Sequence, residues 1–288
     1  MGKILVTGIT GNVGREVAEA LKKRDAPMVC AVRDIEKAQK QFQGEYTFVP
    51  LDFVNQDTYD QALEGVDRVF LNYPPEMPFD DFHAFIFRAK ERGVRHLTYL
   101  SVKDVQFLPF IPHYKNEKAI VRSGIPFTFL RAGYFTQNLN MFLRDEIVKH
   151  DRIYVPCGKG KTSFIDLRDI SDVAAITLLS SDEHQNKKYV LTGNKALDFF
   201  EVADIMTKIL RRKIIYSNPR VKEFKTYMLQ KGYEAKYVNV VAGLHMFTKL
   251  GMAQGIKPDF TKITGRIPLT VEEYVKDYKT IWNKISVD

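Results

Sequence analysis

Tyr114 and Lys118 stand four positions apart in Tyr114-Lys115-Asn116-Glu117-Lys118, a spacing at which one helix face can carry a proton-donating phenol and an ammonium that lowers its pKa. Such a pair would serve reversible alcohol oxidation. The apolar residues beyond it argue otherwise. Ile120 and Val121 set the inward direction, a turn of about 100° per residue brings Glu117 and His113 nearest to that direction, and Lys118 falls towards solvent. We therefore read the Tyr114/Lys118 spacing as coincidence. His113, on the inward side, could donate a hydrogen bond to a bound ligand or to a developing oxyanion, or could simply pair with Glu117 one turn away.

A second group of residues concerns a phosphate. Gly8-Ile9-Thr10-Gly11-Asn12-Val13-Gly14 lies directly behind the apolar run Ile4-Leu5-Val6 and directly ahead of the helical pattern Glu16 to Leu21. A strand, a glycine turn and a helix start in that order suit a dinucleotide pyrophosphate: glycine admits close backbone approach, and the amides of the first helical turn point at the anion. At the end of the second strand stands Arg33, where an acidic residue would bind a ribose hydroxyl. Its guanidinium can fork onto a 2′-phosphate and Lys37 adds charge one turn on, so the expected cofactor is NADPH in preference to NADH. Asp34 is placed to cap the helix that follows. Asp52 is placed to accept from the adenine amino group with Phe53 flanking the ring, or else to lie solvated in its loop. Asn72-Tyr73-Pro74-Pro75 and Ser101-Val102 follow the fourth and fifth strands, towards the nicotinamide end. Gly133, Tyr134 and Phe135 follow the sixth; Tyr134, Phe135, Asn138 and Met141 would then face an acceptor, or serve as ordinary packing.

The elements that must position these residues alternate short β-rich runs with helical stretches: Lys3 to Thr7, Met28 to Val32, Tyr46 to Val49, Arg68 to Leu71, His96 to Leu100 and Phe127 to Arg131. That is the α/β pattern of a doubly wound parallel sheet, a Rossmann fold, with ligands beyond the carboxyl ends of the strands. Beyond Arg131 helical stretches dominate, at Asp169 to Leu179, Phe199 to Leu210, Pro219 to Leu250 and Val271 to Lys284. We expect a core over 1–150 and a smaller, mostly helical C-terminal cap over 151–288, with short strands at Lys188 to Leu191 and Lys213 to Tyr216 pairing at the core's sheet edge. Tyr227, Tyr233, Tyr237 and Phe247 would fill the cap or line a pocket.

Composition bounds the remaining choices. No apolar run approaches the ~20 residues of a membrane span, and the N-terminal residues read as a strand and not a leader, so a soluble cytoplasmic protein is expected. Two cysteines, Cys30 and Cys157, form no metal or disulfide pattern. From Asp151 onward Lys and Arg outnumber Asp and Glu by 23 to 16, which places most of the net charge of +8 outside the nucleotide-binding half. That excess could gather an anionic ligand. Runs such as Arg211-Arg212-Lys213 look like a helix end meeting a strand, which argues against nucleic acid as a partner.

Taken with Ser123-Gly124-Ile125-Pro126-Phe127-Thr128-Phe129-Leu130-Arg131, Tyr134-Phe135-Thr136-Gln137-Asn138, Ile165-Asp166-Leu167-Arg168-Asp169-Ile170, Thr192-Gly193 and the terminal region near Trp282, the chain resembles the NmrA-like group of atypical short-chain dehydrogenases over nearly its whole length. Within that group it is most similar to the NADPH quinone oxidoreductase and triphenylmethane reductase branch. With Glu117 as the helix glutamate of that family, His113 occupies the place of the usual lysine and Pro109 that of the usual tyrosine, so the dyad is absent. The resemblance implies direct hydride transfer to an electron-poor aromatic acceptor of quinone, azo or triarylmethane type. It also implies a rival: an NAD(P)-binding redox sensor acting through a protein partner without turnover.

Overall fold

The computed structural model describes residues 2–75 and 77–283, and the chain divides into two compact units. The first comprises Met1–Ala132, Leu167–Leu191 and Lys262–Gly265. Its sheet is built from β1 (Lys3–Thr7), β2 (Met28–Val32), β3 (Phe48–Pro50), β4 (Val66–Leu71), β5 (His96–Val102) and β6 (Phe127–Ala132), joined by a seventh strand, Lys187–Leu191. Spatial order is β3-β2-β1-β4-β5-β6 followed by Lys187–Leu191, every pairing parallel. The order reverses between β1 and β4, which makes a crevice at their carboxyl ends the expected ligand position.

Burial explains why these runs became strands. Both faces of a parallel sheet are covered, so β4 and the first six residues of β5 are buried at every position. The third strand begins two residues later than its sequence pattern suggests. Tyr46 is not part of it: its ring packs edge-on against Phe42 at 5.6 Å and its hydroxyl donates to Glu19, so an aromatic residue that reads as β-rich serves in a loop.

The helices of this unit are α1 (Asn12–Lys22), α2 (Ile35–Phe42), α3 (Tyr59–Ala62), α4 (Phe79–Glu91), α5 (Pro112–Ser123) and Leu167–Leu179. Leu167–Leu179 packs on α1, with Arg24 and Asp172 paired at 3.2 Å. Arg68 is buried; it bonds Asp67, the Leu178 carbonyl and the Gly2 carbonyl at 2.9, 2.9 and 3.0 Å, tying the start of β4 to that helix. A single break at residue 150 is thus corrected. The chain leaves the first unit after Ala132 and returns for a helix and an edge strand, because that strand finds its backbone partners on β6.

The second unit, Gly133–Asp166, Thr192–Thr261 and Arg266–Asp288, holds a three-stranded sheet of Ala196–Leu197, Thr162–Ile165 and Tyr134–Phe135. A separate pair joins Arg152–Ile153 to Ile215–Tyr216, so the expected strand near Lys213 to Tyr216 pairs here and not with the main sheet. Its helices include Phe199–Leu210, Val221–Gln230, Ala235–Lys249 and Val271–Asp277; Lys284, expected to end the last, lies outside the described residues. Arg212 donates to the carbonyls of Ile147 and Trp282, which accounts for part of the basic run as structure. Tyr227 and Tyr237 pack on the unit's core, while Tyr233 and Phe247 stay partly exposed. No helix among the described residues is long and apolar enough to cross a membrane.

Candidate active site

The glycine turn has the geometry its sequence implies. Gly8 closes β1 with φ +74°, a conformation costly for residues with a Cβ. Gly11 N–H donates to the Gly8 carbonyl at 2.9 Å, and a Cβ on Gly14 would lie 2.2 Å from that same oxygen. Helix α1 therefore starts hard against the end of β1, at a separation only glycine allows. No side chain caps α1 and its first turn holds no acidic residue. Its amides are left for an anion, beside the strand-order reversal.

Thr7, which sequence reasoning passed over, stitches that reversal: its hydroxyl donates to the Phe70 carbonyl at 3.1 Å and accepts from Asn72 N–H at 2.9 Å. The Asn72 side chain lies over Gly8. At the end of β2, Arg33 and Lys37 are exposed, and neither pairs with an acidic side chain among the described residues. Asp34 caps α2, accepting from Lys37 N–H at 2.9 Å as its position suggested. Arg15, also overlooked, holds its guanidinium 5.2 Å above the Phe42 ring at the far end of α2.

Several expected contacts are corrected. Phe53, expected beside the adenine, packs in the core, its ring 5.3 Å from Phe82 and 5.1 Å from Phe85. Asp52 is half-buried and turns one oxygen to Val54 N–H at 3.2 Å, organising its own loop. The Ser101 hydroxyl is spent inward: it donates to Glu117 at 2.7 Å, and Arg131 grips the same carboxylate with bonds of 3.0 and 2.6 Å. Glu117 is therefore the partner of Arg131, not of His113. Val121, used to orient α5, is 51% exposed, yet Glu117 and Ile120 are buried and Lys118 is exposed with its ammonium over the Tyr114 ring. Lys118 thus lies off the buried face, while Tyr114 is half-buried.

His113 packs against Tyr73, ring centres 6.2 Å apart, in the loop after β4. Its Nδ1 lies 2.8 Å from the Tyr99 hydroxyl. Burial holds the imidazole down to about 4, so the ring is neutral near pH 7 and cannot act as a cation. Tyr73 stacks on Phe79 and donates to the Met77 carbonyl, fixing the turn around Pro74. Val102 and Pro74 remain half-buried at the strand ends.

In the second unit, Tyr134 is corrected from acceptor contact to core residue. It is buried against Phe164 and Phe199, with its hydroxyl 3.2 Å from His245 Nε2, and Asn138 is buried beside it as a hydrogen-bond partner. His245 donates from Nδ1 to the Val241 carbonyl at 2.7 Å, so Nε2 is the acceptor for the phenol. Phe135 is half-buried next to Gly133, and Met141 is 49% exposed. Cys30 and Cys157 are buried and free, and no cluster of three or more His, Cys, Asp or Glu among the described residues could hold a metal.

A family model described as the NmrA-like family matches residues 1–275. The chain belongs to the NmrA-like family. Among its relatives, an NAD(P)H azoreductase of Xenophilus azovorans is 31% identical over 95% of this chain and 96% of its own. Prestalk A differentiation protein A of Dictyostelium discoideum is 30% identical over 95% of this chain and 91% of its own. A crystal structure of the NADPH-dependent quinone oxidoreductase of Escherichia coli complexed with NADPH superposes on this NmrA-like chain with a TM-score of 0.85 at 25% identity, covering 95% of this chain and 99% of that one.

Proposed function

We propose that this chain is an NADPH-dependent oxidoreductase that reduces an electron-poor aromatic acceptor of quinone, azo or triarylmethane type. One observation carries the cofactor assignment: Gly14 lets α1 close onto Gly8 with its first-turn amides uncapped, a cradle fit for a pyrophosphate. The amides after Gly11 would hold the diphosphate, Arg33 and Lys37 the 2′-phosphate, and the segment from Asn72 to Pro74 with Val102 the nicotinamide end. Bound there, NADPH would supply a hydride.

The chain's own groups fit an acceptor that stabilises negative charge itself. Lys118 is exposed with its ammonium on the Tyr114 ring, and neutral His113 can offer a hydrogen bond but is no strong base. Phe135 and Met141 are the acceptor-facing candidates left with accessible surface. The azoreductase and quinone oxidoreductase relatives support the acceptor class.

A second reading, a redox sensor working through a protein partner, draws support from the relative named for differentiation. The two separate in one experiment, in which NADPH consumption is followed against a panel of quinone, azo and triarylmethane acceptors. Consumption with at least one acceptor supports the reductase; tight NADPH binding with no consumption overturns it in favour of the sensor.

A further inference from the structure

Helix Ala235–Lys249 is apolar on both of its faces. Val238, Val241 and Ala242 pack into the core of the second unit. At about 100° per residue, Val240, Leu244 and Phe247 share a stripe about 60° wide on the opposite side, where they are 66, 39 and 36% exposed. Gly243 borders the stripe, and nothing lies within 4 Å of the Cβ it lacks, so no neighbouring segment covers the helix there. Leu250, also exposed, carries the apolar surface past the helix end. A surface helix ordinarily turns polar residues to solvent, and one that is apolar all round is covered by something.

Charge indicates what covers it. Between Arg220 and Lys257 seven Lys and Arg stand against two acids, Glu223 and Glu234, an excess of +5. Lys231 meets Glu146 from outside this segment, and counting that carboxylate still leaves +4. Lys222, Lys249 and Lys257 are exposed. A second copy docking by the same stripe would bring like charges together at its rim, which disfavours self-association. An anionic lipid surface answers both features: its interfacial layer takes up the apolar side chains, and its headgroups attract the ammonium groups while the Lys stems lie along apolar surface. Tyr233, partly exposed just before the helix, has the apolar ring and polar hydroxyl that suit the headgroup level.

We propose that the outer stripe of Ala235–Lys249, with its basic flanks, is a docking surface for an anionic lipid bilayer. No helix among the described residues is long and apolar enough to cross that bilayer, so the helix lies on it with its apolar stripe at the boundary between headgroups and acyl chains. The inference does not rest on the reductase reading. Where both hold, the docked chain meets apolar quinones in the phase that dissolves them.

Co-sedimentation of the full chain with lipid vesicles tests this without cofactor or acceptor, so its failure is distinct from failure of the reductase reading, which shows in NADPH consumption. The chain should bind vesicles of mixed phosphatidylglycerol and phosphatidylcholine about 10-fold or more tightly than vesicles of phosphatidylcholine alone. Raising salt from about 0.1 M to about 1 M, which cuts the screening length from about 10 Å to about 3 Å, should weaken that binding about 10-fold or more. Val240→Glu combined with Leu244→Glu should weaken it about 10-fold or more, by placing charge where apolar side chains enter the interface. Both positions are exposed, so the urea midpoint should not move. Lys222→Glu combined with Lys249→Glu should weaken binding to the mixed vesicles and leave any binding to phosphatidylcholine alone unchanged. NADPH affinity should stay within about 2-fold in both double variants. Absence of binding to the mixed vesicles, or binding that neither double variant weakens, overturns the proposal. So does a concentration-dependent dimer in sedimentation velocity that Val240→Glu with Leu244→Glu abolishes, which would give the stripe to a second copy.

Discussion

Replacing Gly11 by alanine separates a glycine kept for a ligand from one kept for the fold. Its backbone, φ −97° and ψ 170°, is open to any residue, and an added Cβ would meet only the Gly8 carbonyl, at an ordinary 3.4 Å. The fold should barely notice: alanine at a helix N-cap costs about 1 kcal/mol or less relative to glycine. A bound diphosphate should notice. Its oxygens approach backbone amides to about 2.9 Å, whereas a methyl group requires roughly 3.5 Å or more. Losing one charge-assisted bond, worth about 1.5–3 kcal/mol, weakens NADPH affinity on the order of 10- to 100-fold. Fluorescence or calorimetric titration gives Kd and a urea melt gives stability on the same sample. Gly14→Ala should show the opposite emphasis, because its Cβ would lie 2.2 Å from the Gly8 oxygen, an overpacking worth about 1–3 kcal/mol of stability. An unchanged Kd in Gly11→Ala with normal stability would refute the cradle.

Arg33→Glu should weaken NADPH binding by about 10-fold or more, by losing a bidentate phosphate contact, while NADH binding stays within about 3-fold; direct titration of both cofactors checks it. Tyr114→Phe and Lys118→Met should each leave kcat within about 2-fold, since a real acid–base dyad would cost about 100-fold or more. Stability should fall as pH drops from about 6.5 towards about 4, because buried His96 and His245 are held down to about 4 in the folded chain and the unfolded chain binds their protons first. Each should contribute on the order of 1 kcal/mol per pH unit across that window, read from urea midpoints at several pH values, with full stability above it. Glu117→Gln should cost about 1–3 kcal/mol by replacing the charge-assisted bonds to half-buried Arg131 with a neutral amide, again visible in the urea midpoint.

What could be read from the sequence was what is local. The glycine turn, β1, β2 and the Asp34 cap depend on neighbouring residues, and each stands where the spacing put it. The direction of a side chain was harder, because it depends on distant partners. Phe53 follows a strand end that suits a ligand, but Phe82 and Phe85 of α4 claim its ring. Ser101 is claimed by Glu117, and Tyr134 by Phe164 and His245. The hydrogen bonds that join Tyr99 to Asn116 at 3.1 Å and Asn116 to His83 at 3.0 Å left no periodic trace, since these residues come from β5, α5 and α4. The unit boundary was hidden for a similar reason. Lys188 to Leu191 reads as a strand for the core's sheet edge and pairs there with β6; what local spacing leaves unread is that Leu167–Leu179 returns to the first unit with it.

The account stands most directly on hydride transfer. NADPH carrying deuterium at its transferable position, mixed with this chain and a cationic triarylmethane dye, should yield a colourless product with deuterium on the central carbon. Bound cofactor that stays unconsumed with that dye and with quinone and azo acceptors alike would contradict it.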